Sequence, residues 1–282
     1  MNDLDTERAR RSVSLTWYGQ AGFRLTAGDS RVLIDPFLTD RDDRHYRPPA
    51  KAADFADVTL VLCTHEHGDH LGLPFLREFC AVNPGAPIVV PLPVVQVAAG
   101  GGIDRARLAG AVPGEELHDR DVTVHPVPAL HGIGGDEPVV YEFSPDGGPA
   151  RFLGYVLEIG GIRFYHSGDC VPYDGLVEEV RRLSADVALL PVNGRDAYRA
   201  SRGVPGNFTV AEAMELCAAA GIGLLVGHHH GLFEFNTVDP AVAGPALERG
   251  YPGGVGLLAR AGVALRFERL DGARGDGSET KL

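Results

Sequence analysis

At 282 residues the chain can bury one large core, and its composition, 44% apolar and 23% charged, excludes a disordered or fibrous protein. No apolar run approaches the roughly 18 residues of a membrane span, and a net charge of −12 argues against broad binding to nucleic acid or anionic membranes. Four dispersed cysteines without a C-x-x-C pair exclude a disulfide scaffold and a cysteine-type zinc module.

Residues 1–11 alternate acids and arginines without an apolar segment, unlike a signal or targeting peptide, so the cytoplasm is the expected location. In chain order, apolar and β-branched runs predict strands over 13–18, 22–25, 32–34, 58–63 and 88–90. Further strands are predicted over 122–127, 155–159, 163–166, 187–192 and 224–226. Between them lie helix-like stretches over 73–82, 94–99, 176–183, 209–220 and 240–249. The fourth opens on Thr209-Val210-Ala211-Glu212, a capping box in which each side chain satisfies a backbone N–H of the other. Strands in both halves with helices between them suit an α/β sandwich, two sheets inside and helices outside. We read one domain over 12–270, with residues 1–11 and 271–282 expected to be mobile.

The chemistry concentrates in Thr64-His65-Glu66-His67-Gly68-Asp69-His70-Leu71, directly after the apolar run 58–63. Imidazole and carboxylate suit zinc, manganese or iron, and alternation along an extended turn points His65 and His67 the same way. Gly68 permits a tight reversal, after which Asp69 and His70 can serve a second ion. Four ligand-type residues in six positions after a buried strand are far from what a polar surface loop collects by chance.

This H-x-H-x-D-H run resembles the signature of the metallo-β-lactamase superfamily. The resemblance implies a four-layer αββα sandwich with two divalent ions per chain, zinc or manganese, and further ligands in order. His131 in Val127-Pro128-Ala129-Leu130-His131-Gly132 would complete the first site. Asp169 in Ser167-Gly168-Asp169 would be the bridging carboxylate. In Gly227-His228-His229-His230-Gly231 the family pattern selects His229, with His228 as the alternative; the proline expected at Gly227 is missing. His166, His228 and His230 would support the ligands rather than bind an ion, although His166 also reads as an ordinary core or surface histidine. Oxygen-reducing diiron relatives carry a glutamate where this chain has His67, so hydrolysis is expected. In that chemistry a hydroxide bridging the ions is the nucleophile, and Asp69 and Asp169 are the catalytic carboxylates. Cys170 reads as a buried structural thiol.

Substrate clues lie in the loop 193–209, where Asn193, Arg195 and Arg202 precede a helix N-terminus and could hold a phosphate or carboxylate. The same arginines could simply pair with surface acids. Residues 14–245 resemble the L-ascorbate-6-phosphate lactonases and their relatives, from the opening Trp17-Tyr18-Gly19-Gln20-Ala21-Gly22 onward. That implies a small ester or lactone as substrate and a homo-oligomer as the assembly. The alternatives are a phosphodiesterase of the same superfamily and a non-catalytic metal-dependent binding module.

Overall fold

The computed structural model describes residues 12–133, 139–140, 150–204 and 206–268; the termini expected to be mobile lie outside the described residues. The chain begins as an antiparallel meander of β1 (Ser12–Gly19), β2 (Gly22–Ala27) and β3 (Ser30–Ile34). Strict alternation in β1 turns Val13, Leu15 and Trp17 inward. Parallel crossovers follow through β4 (Leu60–Leu62), α1 (Leu73–Val82), β5 (Ile88–Pro91), α2 (Val95–Gly100) and β6 (Leu108–Ala111).

The second sheet starts with β7 (Leu117–Asp119) and β8 (Val122–Pro128), and a two-stranded ribbon of β9 (Gly132–Ile133) and β10 (Val139–Val140) follows. Then come β11 (Leu153–Ile159), β12 (Ile162–His166), α3 (Leu176–Arg182), β13 (Val187–Pro191) and α4 (Ala197–Ser201). The chain continues through α5 (Val210–Ala220), β14 (Leu224–His228), α6 (Pro240–Glu248), β15 (Val255–Leu258) and β16 (Ala264–Glu268).

Two mixed seven-stranded sheets result, in the orders β16-β1-β2-β3-β4-β5-β6 and β15-β14-β13-β12-β11-β8-β7. One apolar cluster, including Leu15, Phe23, Leu62, Leu157 and Leu189, fills the space between the sheets. A second, including Val180, Leu216 and Leu247, packs α3, α5 and α6 on the outside of one sheet, and a third, including Phe75, Phe79 and Ala98, packs α1 and α2 on the other. This is the four-layer αββα sandwich. Every residue of β4 and β13 is buried, as parallel strands covered on both faces require.

The capping box forms as expected: Thr209 Oγ1 accepts from Glu212 N at 3.2 Å, and Glu212 Oε2 accepts from Thr209 N at 2.9 Å. The predicted run 58–63 shortens to β4 because Val58 N turns back to Phe55 O at 3.0 Å. Strands β6, β7, β15 and β16, the edges of the two seven-stranded sheets, were not predicted, nor was the β9–β10 ribbon. An edge strand is half exposed and short, so it lacks the continuous apolar run that marks an interior one. No helix among the described residues is long and apolar enough to cross a membrane.

Asn83 knits the loops entering β4 and β5. Its Nδ2 donates to Val58 O at 2.7 Å and Ala56 O at 3.2 Å, while its Oδ1 accepts from Ala86 N at 3.0 Å. Asn83→Ala leaves these buried backbone groups unpaired and should lower unfolding stability by about 2–3 kcal/mol, measured by urea denaturation.

Candidate metal centre

The ligand candidates converge from loops that leave the C-terminal ends of four strands. His65, His67, Asp69 and His70 follow β4, His131 follows β8, Asp169 follows β12, and His229 follows β14. The two sheets thus bring distant segments together at one end of the sandwich. His65 Nε2 lies 3.0 Å from His67 Nδ1, which lies 3.2 Å from His131 Nε2. A second group joins Asp69, His70 and His229. Here His70 Nε2 and His229 Nε2 stand 3.8 and 3.6 Å from Asp69 Oδ2.

Asp169 stands between the groups. Its Oδ1 is 3.3 Å from His70 Nε2 and 3.2 Å from His229 Nε2, while its Oδ2 is 3.6 Å from His131 Nε2. Donor atoms at bonds of about 2.0–2.1 Å around a tetrahedral ion are separated by about 3.3–3.5 Å, and the spacings here, 3.0 to 3.8 Å, bracket that value as a set of donors to a divalent metal should. His70 Nε2 and Asp169 Oδ1 are buried without a hydrogen bond of good geometry, which is costly in a low-dielectric interior unless a cation faces them.

The charges respond to this crowding. Burial pushes the His65 imidazolium down, as do the neighbouring rings of His70 and His131. For His70 burial acts in the same direction, but Asp169, Asp35 and Asp69 together outweigh it and hold the ring well above the usual histidine range. His229, desolvated but facing Asp169 and Asp69, is raised to about 9. Burial penalises the Asp169 charge, yet His229 and His70 keep the carboxylate ionised well below its ordinary range.

Two further residues complete the centre, and sequence reasoning did not single them out. Asp35, just after β3, accepts from Thr64 N at 2.8 Å and Thr64 Oγ1 at 2.7 Å, and its Oδ2 meets His70 Nδ1 at 2.7 Å. That bond keeps the His70 proton on Nδ1 and frees Nε2 for an ion. Gln20, in the β1–β2 turn, places Nε2 2.9 Å from Asp69 Oδ2 and 3.0 Å from His229 Nε2. Gln20, Asp35 and His229 all adopt left-handed φ, at 51°, 43° and 64°. Such strain in non-glycine residues gathers where a site over-determines the backbone. The available sequence signals were Ile34-Asp35-Pro36 closing a buried strand and a lone amide between glycines in a hairpin turn.

The supporting histidines differ in what they touch. His166 donates from Nε2 to Ala21 O at 3.0 Å and accepts at Nδ1 from Gly168 N at 3.0 Å, so it braces the turn carrying Asp169. Gly168 has φ 62°, and a Cβ there would sit 2.7 Å from Leu153 O. His228 is buried and stacks on His166 at 5.1 Å, and among the described residues it makes no ion pair with Asp69 or Asp169, whereas His229 does. His230 stacks on Trp17 at 4.9 Å. Glu66 turns away from the centre to Arg151. Burial raises the Cys170 thiol to about 12, which disfavours a nucleophilic role.

The loop 193–209 is built differently from the expected anion site. Asn193 is buried, donating to Asn236 Oδ1 at 2.6 Å and accepting from Asn207 Nδ2 at 3.1 Å. Arg195 pairs with both oxygens of Glu212, at 2.7 and 2.5 Å, and so locks the capping box. Arg202, exposed, contacts Tyr198 Oη at 3.2 Å. Among the described residues, none of the three hydrogen-bonds or ion-pairs with the ligand candidates.

Residues 30–230 match the β-lactamase superfamily domain. A UPF0173 metal-dependent hydrolase of Methanopyrus kandleri is 31% identical over 81% of this chain and 88% of that protein. The chain belongs to the UPF0173 metal-dependent hydrolase family of the metallo-β-lactamase superfamily. Among solved structures, the metallohydrolase Igni18 of Ignicoccus hospitalis superposes with TM-score 0.67 at 20% identity, covering 92% of this chain and all (100%) of that one. An isothiocyanate hydrolase from Delia radicum gut bacteria gives TM-score 0.71 at 17% identity, covering 91% of this chain and 100% of that one. At these identities the structural neighbours speak for the fold. Membership in the UPF0173 family makes the chain a metal-dependent hydrolase.

Asp35→Asn should weaken metal binding about 10–100-fold, because the His70 tautomer is no longer held; a chelator-competition titration measures this. Metal must also displace protons from His229, held to about 9 in the metal-free protein, and from His70, held well above the histidine range, so affinity should rise at least about tenfold per pH unit as pH approaches 9. The stability that His229 gives the metal-free fold runs oppositely: it is complete below about 6.5 and is lost as pH rises through about 9. Thermal melts with and without metal across that window test both signs.

Proposed function

We propose that the chain hydrolyses a small, anionic ester or lactone in the cytoplasm, as the resemblance to the L-ascorbate-6-phosphate lactonases implies. In this reading His65, His67 and His131 would hold one divalent ion and Asp69, His70 and His229 the other, with Asp169 available to both. The observation that carries it is the Asp169 carboxylate, whose two oxygens face opposite groups of donors. Zinc or manganese bound there would supply Lewis acidity to the substrate oxygen and would bring the pKa of water toward neutrality.

The protein's own groups then orient and move protons. Asp69 is 26% exposed against 6% for Asp169, so it borders the open side from which substrate approaches. Gln20 Nε2 holds Asp69 Oδ2, and Oδ1 is left to accept a hydrogen bond from the attacking water and aim its oxygen at the carbonyl carbon. As that C–O bond forms and the ester C–O bond breaks, the water proton passes through Asp69 to the departing alkoxide. Of the residues first read as an anion site, Arg202 is the one whose guanidinium has no carboxylate partner within ion-pair distance among the described residues, and it is assigned the anionic substituent.

The test is turnover by metal-loaded protein across lactones, carboxylic esters, phosphodiesters and an isothiocyanate. Lactones or esters should give the highest kcat/KM, and Arg202→Ala should raise KM for an anionic lactone several-fold while leaving a neutral one unchanged. Turnover of phosphodiesters alone, or fewer than two ions per chain after loading, would sink this reading.

A further inference from the structure

A groove of about 490 Å³ lies at the open edge of the sandwich, among β15, β16 and α6. That volume falls within the range of about 300–1,000 Å³ occupied by small-molecule sites. Leu15, Phe23, Val226, Leu257 and Leu265 make its walls apolar, and Pro240, Gly244 and Glu248 bring one face of α6 to it. None of the metal-ligand candidates lines it. β15 ends its sheet and borders the groove through Leu257 and Leu258. Val255 N and Ala259 N donate toward β14, to Gly223 O at 3.1 Å and Gly227 O at 2.8 Å. Strand alternation therefore turns the N–H and C=O of Gly256 and Leu258 to the open side, where an added strand can pair with them.

The groove also has a charged group at each end. A Cβ on Gly256 would meet Leu247 Cβ at 3.0 Å and one on Gly244 would meet Leu258 Cδ1 at 3.6 Å, so α6 runs antiparallel to β15. Glu248 thus stands beside the start of β15, and Arg260 lies beyond its end. From Gly256 to Arg260 the extended chain advances about 13 Å. Both charged side chains are exposed, and neither ion-pairs among the described residues. An anion and a cation at opposite ends of an apolar wall, along an open strand edge, match a short peptide with free termini. An extended tripeptide spans about 10 Å, and the flexible Glu248 and Arg260 side chains can close the remaining distance.

We propose that this groove is a second ligand site, separate from the metal centre, for an apolar tripeptide lying parallel to β15, with its ammonium on Glu248 and its carboxylate on Arg260. Metal-loaded protein is titrated by calorimetry with valyl-alanyl-valine, its N-acetyl form and its C-terminal amide. The free peptide should bind at least about fivefold tighter than either blocked form. Arg260→Ala should weaken the free peptide to the level of the amide and leave the amide within about twofold, and Glu248→Ala should do the same with respect to the N-acetyl form. The 3.6 Å clearance at Gly244 is ordinary, so Gly244→Leu is accommodated and fills the groove; it should weaken the free peptide at least about tenfold. Metal-stripped protein should bind the peptide as the loaded protein does. No saturable heat, equal affinity of free and blocked peptides, or unaltered binding in any of the three variants would overturn the proposal. So would loss of binding on stripping the metal, which locates the peptide at the metal centre. A dimer by sedimentation that gives no heat with peptide would also overturn it, by giving the groove to a second copy of the chain.

Discussion

The Asp169 carboxylate is the group on which the rest of the structure depends. Nearly buried, it faces His131 on one side and His70 and His229 on the other. A carboxylate in that setting is tolerable only with positive charge around it, from imidazolium rings or from metal ions. The surrounding fold supplies the geometry: β12 ends in a glycine turn that no side chain could share, and His166 braces its backbone. The requirement for Gly168 and the position of His166 follow from where Asp169 must stand.

Placement of the other groups follows from the sandwich. Loops at the ends of β4, β8, β12 and β14 converge because the sheets pack face to face over one apolar core, so residues far apart in sequence meet at its rim. Rotational freedom of the imidazoles is then removed by backbone and carboxylate partners, with Asp35 on His70 as the clearest case. Left-handed backbone at Gln20, Asp35 and His229 shows local strain collected at the same rim. Packing of the surrounding strands sustains that strain and keeps donors separated by little more than 3 Å.

The loop 193–209 shows how one residue type can serve two ends. Three arginines in an acidic chain read as an anion site, but Arg195 completes a helix cap through Glu212, and Arg199 joins Asp196 to the Asn193 carbonyl. Sequence proximity reported the arginines and could not report their partners. Geometry assigns two of them to holding the loop.

The sequence by itself determined the interior strands, the five longer helices, the capping box and the ligand-type residues of the H-x-H-x-D-H run. Each rests on local periodicity or spacing, which a linear chain carries in full. Edge strands β6, β7, β15 and β16 lay beyond it because half-exposed pairing leaves no continuous apolar signal. Choosing His229 over His228 as the histidine facing Asp169 also required the fold: a left-handed φ at His229 turns neighbouring rings in different directions. Asp35 and Gln20 were decided by tertiary structure alone. Their partners lie 35 and 49 residues away, and only the packing of two sheets brings those side chains within hydrogen-bond distance.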